Sequence, residues 1–321
     1  MTNQQTSSES LLMETAFSAD RERRYARHLE FLNSDDPEIW RRIDFPLEIS
    51  LELTNYCNLR CIMCPNPSMK RHRGYMSENL FKAIVNGLSG ENGFLFLPQG
   101  FGEPLLHTEI FGLTTFASNC GIRPIVLLSN GMLLNEATLS DVMNSIDILI
   151  VTIDGISPRT YESVRVGGNL QTVTRNIERF LLARGDCKPP YLVLRIIDMK
   201  ETKAEIAAFQ DFWRTRISET DILQVSGYND WTGTINTGKN HVKMREQRRP
   251  CRMLWKNLTV YHDGRVTPCC YDAEGELMIG SAGEESLRNI WEGTRLKRLR
   301  DLHLAHQFRK IPICHRCNTW F

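Results

Sequence analysis

Eight of the ten cysteines in the chain occur in two groups, and grouped thiols are its residues best suited to metal chemistry. Three of them, Cys57, Cys61 and Cys64, lie in the segment TNYCNLRCIMCPNP with the spacing C-x3-C-x2-C. Three thiolates in one loop can bind three irons of a cubane iron–sulfur cluster and leave the fourth iron open to another ligand. Structural zinc sites favour two C-x2-C pairs that close a tetrahedron, so this spacing favours the cluster.

The second group of cysteines lies near the C-terminus. Cys251 and Cys269 are separated by RMLWKNLTVYHDGRVTP, and Cys314 and Cys317 form a C-x2-C pair. These four thiols can close a zinc site or bind all four irons of a cubane, and their spacing alone does not decide between the two. Cys270 stands beside Cys269 and is not needed to complete the set.

The strands and helices that must position these groups follow from the hydrophobic pattern. Apolar runs rich in β-branched residues predict six strands, at 47–55, 94–100, 124–131, 148–155, 191–197 and 222–228. Amphipathic helices are predicted between them, near 77–88, 135–145, 159–183 and 202–216. This alternation predicts an α/β fold, in which a parallel sheet with right-handed crossovers is open or curled into a partial barrel.

The first cysteine group directly follows the first predicted strand. Ligands bind at the carboxyl ends of the strands in such sheets, so we expect the group at that edge. Other polar motifs follow later strands at the same edge: GFGEP with Gly102 and Glu103, SNG with Ser129, VTIDG with Thr152 and Asp154, and YESVRVGG with Arg165. Cys120 and Cys187 each precede a strand, at the opposite edge, and we predict structural roles for both.

From residue 47 to the C-terminus these motifs resemble the radical S-adenosylmethionine (SAM) superfamily, whose fold is a partial (β/α)6 TIM-like barrel. The resemblance implies a [4Fe–4S] cluster whose open iron binds SAM and passes it one electron. It also implies a 5′-deoxyadenosyl radical that abstracts hydrogen from a substrate. The SAM contacts that it implies are Gly102 and Glu103 for the methionine amino group, Arg165 for the carboxylate, Ser129, Thr152 and Asp154 for the ribose and substrate, and Met63 near the adenine, where the family usually has an aromatic residue.

The C-terminal pattern C-x12-G-x4-C followed by C-x2-C resembles the twitch form of the SPASM extension, a small α+β domain with one auxiliary [4Fe–4S] cluster. The implied ligands are Cys251, Cys269, Cys314 and Cys317. A fully ligated cluster suits electron transfer, although it could also only stabilise a small domain. Cys270 is then either a buried thiol without a role or a catalytic hydrogen donor that returns hydrogen to a substrate radical, which would give epimerisation.

We divide the chain into a polar N-terminal lead-in (1–45), the radical SAM barrel (46–235) and the SPASM/twitch domain (236–321), which carries a hairpin signal at Asp263–Gly264. Basic and acidic residues number 39 and 38, which favours neither nucleic acid nor an anionic membrane as a partner. The sequence lacks a signal peptide and an apolar run of about 20 residues, so we expect a cytoplasmic protein. A flavodoxin or ferredoxin is the expected reductant.

Single-cluster members of the family act on aminocyclitols, aminoglycosides and sugars, as in antibiotic biosynthesis, or modify peptides. Peptide-modifying members often carry a strand-rich leader-binding domain, and the lead-in is short and shows no strand alternation, which favours a small polar substrate. An aromatic plane among acids and amides suits an aminosugar. The candidate contacts are Arg195, Asp198, Tyr228, Asn229, Asp230, Trp231 and Asp272. The alternatives are a peptide-modifying maturase and a non-catalytic zinc-binding protein.

Overall fold

Parallel strands form the partial barrel in the computed structural model, which describes residues 30–31, 34–186, 189–235 and 248–317. The strands are β1 (Glu48–Leu51), β2 (Leu95–Leu97), β3 (Val126–Ser129), β4 (Ile148–Thr152), β5 (Tyr191–Asp198) and β6 (Ile222–Gly227). β1 pairs with β2, and β3 to β6 pair in sequence order, all in parallel. A parallel bridge between Phe96 and Ile125 joins β2 to β3. The predicted α/β barrel class is therefore confirmed.

Both faces of the strands are buried, as expected for a parallel sheet flanked by helices. One face forms a separate apolar cluster of Val126, Ile148, Ile150, Val193 and Ile222. The alternate residues of the same strands, such as Leu149 and Val151, belong to the large core that includes the helices. Because side chains alternate along a strand, the first cluster fills the interior of the barrel.

Helices follow or precede the strands along the chain. They are α1 (Pro37–Trp40), α2 (Glu78–Gly87), α3 (Ile110–Asn119), α4 (Glu136–Ser145), α5 (Pro158–Val164), α6 (Leu170–Arg184), α7 (Ile206–Arg214), α8 (Leu287–Glu292), α9 (Thr294–Leu304) and α10 (Pro312–Arg316). Ser77 is the N-cap of α2, since its Oγ accepts a hydrogen bond from the backbone N–H of Leu80 at 3.2 Å.

Two helical segments differ from the prediction. The single helix predicted at 159–183 is divided into α5 and α6 by a turn at residues 165–169. Gly167 has φ = 91° and cannot continue a helix, so the GG pair ends the first segment. The helix α3 was not predicted, because Gly112 and two adjacent threonines lower its propensity and its apolar residues do not form one narrow stripe.

A C-terminal hairpin extends the barrel sheet. Its strands are β7 (Asn257–Val260) and β8 (Arg265–Thr267), which pair antiparallel, and β8 pairs with β9 (Gly280–Ser281). Gly264 has φ = 88° and forms the predicted turn. β7 also pairs in parallel with β1, so the C-terminal region continues the sheet at the strand that leads to the first cysteine group.

A buried ion pair joins the hairpin to the barrel. Arg71 donates to both carboxylate oxygens of Glu52 at 2.7 Å, and its guanidinium lies 3.9 Å from the ring centroid of Tyr261. His262 Nδ1 lies 3.2 Å from the same carboxylate. Burial alone would raise the pKa of Glu52, but the contacts with His262 and Arg71 outweigh burial and lower it to about 2. Glu52 is therefore charged at neutral pH.

The end of the predicted polar lead-in packs into the protein. Phe31, Trp40, Ile43 and Phe45 are buried members of the main core. Trp40 lies 5.5 Å from Trp255 of the C-terminal region, measured between ring centroids. In the described part of the chain, none of the helices combines the length and apolar character that crossing a bilayer requires.

Candidate functional site

The loop after β1 holds the first cysteine group in apolar surroundings. Cys57, Cys61 and Cys64 pack with Leu59 and Met63. Burial raises the pKa of Cys57 to about 11 and that of Cys64 to about 12, so neither thiol ionises at neutral pH without a nearby positive charge. Iron supplies that charge, so these donors fit an iron–sulfur cluster with three protein ligands.

Backbone hydrogen bonds hold this loop against the turn between α5 and α6. The N–H of Arg60 donates to the carbonyl of Val166 at 2.8 Å, and the N–H of Ile62 donates to the carbonyl of Val164 at 3.0 Å. These carbonyls are available because the helix ends there, where its last C=O groups have no partner within the helix. The turn between α5 and α6, which the sequence pattern did not predict, therefore holds the cluster loop in place.

Arg165 reaches the cluster loop from this turn. Its Nη1 lies 3.6 Å from Cys61 Sγ, while Nε and Nη2 donate to Asp154 Oδ2 at 2.7 and 2.6 Å. Burial acts to lower the pKa of Arg165, but the negative charges of Asp154 and Cys61 outweigh it and raise the pKa above its ordinary value. A permanently charged guanidinium beside the cluster loop suits a carboxylate ligand.

Asp154 is paired with other protein groups, and its contact with the ribose or the substrate stays a prediction. The residue is fully buried. Its Oδ2 accepts from Arg165, and its Oδ1 accepts from the backbone N–H of Ile197 at 2.7 Å. Both oxygens are occupied by protein donors, and the pair with Arg165 orients that guanidinium.

Glu103 and Ser129 lie together at the carboxyl edge, as the sequence predicted. Their side chains are hydrogen-bonded to each other. Ser129 Oγ donates to Glu103 at 2.7 Å, and the backbone N–H of Asn130 donates to the other carboxylate oxygen at 2.9 Å. Burial raises the pKa of Glu103. Asn130 Nδ2 in turn donates to Asn58 of the cluster loop at 2.8 Å. These residues join the loops that follow β1, β2 and β3.

Gly102 lies directly against the backbone of the cluster loop. A Cβ atom there would lie 2.5 Å from the carbonyl oxygen of Tyr56 and 2.9 Å from Cα of Asn55, and it would also collide with the carbonyl of Thr54. Backbone atoms cannot move away as the end of a flexible side chain can. Packing within the protein therefore requires a glycine at position 102. Its absence of a side chain lets the GFGEP motif contact the loop that carries Cys57.

Trp231 connects the first cysteine loop with the second. Its indole Nε1 donates to the backbone carbonyl of Met63 at 2.8 Å. Its ring lies 5.7 Å from that of Phe101 and 5.3 Å from that of Tyr271, close to Cys269 in sequence. Trp231 and Thr232 have φ values of 48° and 61°, which few non-glycine residues adopt. The backbone there is constrained by contacts to both loops.

Polar side chains lie above the apolar interior of the barrel. Arg195 lies two residues after Val193 on β5 and therefore faces the interior too, and its Nε donates to Gln224 of β6 at 2.6 Å. Thr152 is next to Arg195 in the strand register. Gln99, two residues beyond Leu97, has a buried Oε1 without a hydrogen-bond partner in the described ranges. This arrangement could bind a polar molecule at the carboxyl end of the barrel.

Gln99 and Gln224 were missed at the sequence level. Each is a polar residue within or just after an apolar strand pattern, LFLPQG and ILQVSG. That position was a usable signal, because a polar side chain among interior residues of a small barrel must find a polar partner or bind a ligand.

The other predicted substrate contacts occupy different positions. Asp198 is exposed at the end of β5, and Tyr228 packs against the apolar group around the first cysteines. Asn229 Oδ1 accepts from the backbone N–H of Trp231 at 3.2 Å, and Asp230 is buried. The residues after β6 therefore lie beside the cluster loop.

Asp272 pairs with backbone groups of its own loop, and its contact with substrate stays a prediction. It is fully buried, and its carboxylate accepts from the backbone N–H groups of Gly275, Glu276 and Leu277 at 2.9, 2.9 and 2.7 Å. A short polar side chain that accepts from the N–H groups that follow it in sequence stabilises a turn. Asp272 shapes the loop after the auxiliary cysteines.

The second cysteine group lines one cavity. Cys251, Cys269, Cys314 and Cys317 all contribute to it, together with apolar residues such as Leu277. Burial raises the pKa of Cys314 to about 12 and that of Cys269 well above its ordinary value, so these thiols also need cationic partners to ionise. Four thiols around one enclosed space fit a cluster whose irons are all bound by protein.

Cys270 does not line this cavity, although it follows Cys269. The charged side chains that act most strongly on its thiol are Glu48 and Lys256, at the amino end of β1 and directly before β7. The first cysteine loop follows the opposite end of β1. This position does not support the predicted role of Cys270 as a hydrogen donor to a substrate radical, because a donor must reach the carboxyl edge.

Of the two isolated cysteines, Cys120 is exposed at the end of α3, immediately before the segment that leads into β3. Cys187 lies outside the described residues. Cys120 is thus on the amino side of the sheet, away from the edge that carries the first cysteine group.

Two family models match the chain. The Radical SAM superfamily model matches residues 51–212, and the SPASM model, an iron–sulfur cluster-binding domain, matches residues 251–318. The first match spans half of the chain and contains Cys57, Cys61 and Cys64. The second contains the four thiols that line the C-terminal cavity. The zinc-protein alternative finds no support in either match.

Two curated relatives each match the chain over less than half of their own length. A probable GTP 3′,8-cyclase of Methanococcus maripaludis is 32% identical over 130 residues, which cover 40% of this chain and 43% of that protein. The mycofactocin maturase MftC of Mycobacterium ulcerans is 27% identical over 158 residues, which cover 48% of this chain and 42% of that protein.

Solved structures share the fold over most of the chain. BtrN in complex with AdoMet and 2-DOIA aligns with a TM-score of 0.61 and 18% identity, over 86% of this chain and 94% of that one. Streptococcus suis SuiB bound to the precursor peptide SuiA aligns with a TM-score of 0.68 and 14% identity, over 94% of this chain and 75% of that one. At these identities the likeness establishes the fold alone.

Proposed function

This chain belongs to the radical SAM superfamily, and we propose that it oxidises an alcohol carbon of a small, carbohydrate-like molecule. Its cofactors are a [4Fe–4S] cluster with SAM and an additional iron–sulfur cluster in the SPASM domain. Bound together, the first cluster and SAM supply a 5′-deoxyadenosyl radical that takes a hydrogen atom from the substrate. We assign Cys57, Cys61 and Cys64 to the first cluster and Cys251, Cys269, Cys314 and Cys317 to the second.

The observation that carries the proposal of oxidation is the closed set of four thiols around one cavity. An alcohol that has lost a hydrogen atom from carbon becomes a ketone when it also loses the hydroxyl proton and one electron. The proton leaves to solvent or a basic side chain, and a cluster held by Cys251, Cys269, Cys314 and Cys317 would supply an acceptor for the electron. Epimerisation would instead need a hydrogen donor, and the position of Cys270 near Glu48 does not favour it in that role.

The substrate class is supported by the polar groups at the carboxyl end of the barrel. Arg195 and Gln224 are hydrogen-bonded inside the barrel, and the buried Oε1 of Gln99 can accept from a ligand hydroxyl or ammonium. Trp231, whose ring lies 5.7 Å from that of Phe101, adds an aromatic surface after β6. Hydroxyl-rich rings offer donors and acceptors for such residues and apolar faces for the indole. The structural neighbour BtrN was crystallised in complex with AdoMet and 2-DOIA.

The test is an anaerobic assay of the reconstituted enzyme with SAM, dithionite and a panel of aminocyclitols and aminosugars that carry deuterium at each alcohol carbon in turn. We expect one panel member to transfer deuterium to 5′-deoxyadenosine and to give a product lighter by two hydrogen atoms. An isomeric product that gains solvent deuterium would contradict oxidation. Active enzyme with no turnover of any panel member would contradict the substrate class.

A peptide substrate is the second candidate, because the relative MftC is a maturase and SuiB was crystallised with a precursor peptide. Short peptides that contain each side-chain type are therefore included in the same assay. Deuterium transfer from a peptide, with none from the panel of small alcohols, would replace the first proposal with this one.

A further inference from the structure

His303, near the end of α9, lines the cavity that contains the four auxiliary thiols. Its side chain is only 1% exposed. In the ranges that the structure describes, its Nε2 atom has no hydrogen-bond partner. Buried polar groups in folded proteins are almost always hydrogen-bonded, so this atom is expected to have a partner in the cavity.

The other ring nitrogen determines what kind of partner that is. The backbone N–H of Cys251 donates to Nδ1 of His303 over 3.1 Å. A nitrogen that accepts a hydrogen bond carries no proton, so the ring has its proton on Nε2. Nε2 is therefore a donor that needs an acceptor. Packing against the ring of Phe308, at 5.0 Å between centroids, fixes the orientation of the imidazole.

We propose that the Nε2–H group of His303 donates a hydrogen bond to a sulfur atom of the auxiliary iron–sulfur cluster and raises its reduction potential. Hydrogen bonds to cluster sulfurs stabilise the reduced state, which carries one more negative charge. His303 is then a positioning residue that acts through the cluster. A higher potential favours acceptance of the electron that the proposed oxidation releases.

The test compares two substitutions that each keep one ring nitrogen's function. In His303→Asn the amide oxygen can replace Nδ1 as the acceptor for Cys251, but nothing replaces Nε2. In His303→Gln the longer amide can place a donor near the position of Nε2. The auxiliary cluster is titrated by low-temperature EPR in each reconstituted holoenzyme, and its signal is assigned by comparison with a Cys57, Cys61, Cys64→Ala variant. No substrate is needed, so this test is independent of the proposed substrate class.

We expect His303→Asn to lower the ratio of reduced to oxidised auxiliary cluster at a fixed potential by about tenfold, a shift of 59 mV, and His303→Gln to stay close to wild type. His306→Asn is the control, because His306 lies three residues after His303 and is exposed. Its φ of 55° is one that asparagine tolerates. An unchanged potential in His303→Asn, or an equal fall in His303→Gln, would overturn the proposal.

A second measurement does not depend on the stability of any variant. Wild-type enzyme labelled with ¹⁵N only in its histidines is reduced and examined by pulsed EPR. A weak coupling of the auxiliary cluster to a histidine nitrogen is the expected result. The absence of any coupling would overturn the proposal, and so would a strong coupling, which would make His303 an iron ligand.

Discussion

At the scale of single residues, the polar groups at the carboxyl edge are paired with one another. Glu103 accepts from Ser129, and Asp154 accepts from Arg165. The sequence was sufficient to place Glu103, Ser129 and Asp154 at one edge, because each of them follows a strand. Arg165 follows α5 and was nominated by the family resemblance. It could not show which groups pair, since the pairs come from different loops and depend on side-chain positions. The position of Asp154 after a strand led to the prediction of a ligand contact, and it did not reveal the pair with Arg165.

The first prediction concerns Arg165. We expect Arg165→Lys to lower the rate of 5′-deoxyadenosine formation by about tenfold to a hundredfold, because an ammonium cannot reproduce the planar contacts that Asp154 now fixes. Asp154→Asn should weaken SAM binding too, because the Asp154 carboxylate orients Arg165. Equilibrium binding of SAM and the rate of its cleavage are the measurements.

The matched control for this prediction is Arg265→Lys. Arg265 also pairs with an aspartate, Asp263, but its side chain is 40% exposed and lies on the hairpin. It should leave both SAM binding and cleavage unchanged. If Arg165→Lys binds and cleaves SAM as well as this control does, the assignment of Arg165 to the carboxylate is incorrect.

At the scale of elements, the strand pattern was predictable and the exact helix ends were not. Each of the six predicted runs overlaps an observed barrel strand, because buried parallel strands are continuous apolar segments. The division of α5 from α6 was missed because apolar residues continue at helical spacing on both sides of Gly167 and Gly168. The turn is stabilised by contacts to the cluster loop, which are far away in sequence.

The close approach of Gly102 to the cluster loop gives the second prediction. Gly102→Ala should displace residues 54–56 and reduce the occupancy of the first cluster, while the auxiliary cluster is retained. Iron content and the EPR signals of the two clusters measure this. Gly112→Ala is the control, since a Cβ there meets nothing within 4 Å and alanine favours the helix α3. Equal iron content in both variants would contradict the prediction.

The ion pair between Glu52 and Arg71 gives the third prediction. Glu52→Gln leaves the Arg71 guanidinium buried without its counter-charge, and we expect the free energy of unfolding to fall by about 3–5 kcal/mol. Anaerobic urea denaturation at pH 7 measures the loss. Glu78→Gln removes the carboxylate of an exposed pair with Lys82 and should change stability by less than about 1 kcal/mol.

The acid dependence of stability provides a further check on the same pair. The pKa of Glu52 is lowered from 4.5 to about 2, so its contribution is complete above pH 4.5 and is lost as the pH falls toward 2. Glu52→Gln should therefore unfold with a weaker pH dependence than wild type in this window. A loss below about 1 kcal/mol at pH 7, together with an unchanged pH dependence, would show that the pair does not hold the hairpin to the barrel.

At the scale of the whole molecule, the two cysteine groups belong to one connected structure. β7 of the C-terminal hairpin pairs with β1, and Trp231 contacts both Met63 and Tyr271. The sequence indicated a second unit after residue 235 but not that its first strand would complete the barrel sheet. Strand pairing between residues about two hundred positions apart leaves no local signal. This connection fixes the second cluster relative to the first.

The fourth prediction separates the two clusters by function. Cys314→Ala should leave SAM cleavage in the absence of substrate close to wild type, because the first cluster is intact. It should abolish formation of the oxidised product, since the substrate radical then has no acceptor for its electron. Product analysis by mass spectrometry is the readout. Normal yield of oxidised product in a variant that lacks the auxiliary cluster would contradict the electron-acceptor role.

The central claim is that the first cysteine group holds the cluster that cleaves SAM and the second group holds a separate cluster. The most direct measurement is iron and sulfide content, with 5′-deoxyadenosine formation, in wild type and in the Cys57, Cys61, Cys64→Ala variant. We predict that iron falls from about eight to about four per chain and that SAM cleavage disappears. About four irons in the wild type, or SAM cleavage that persists in the variant, would contradict the claim.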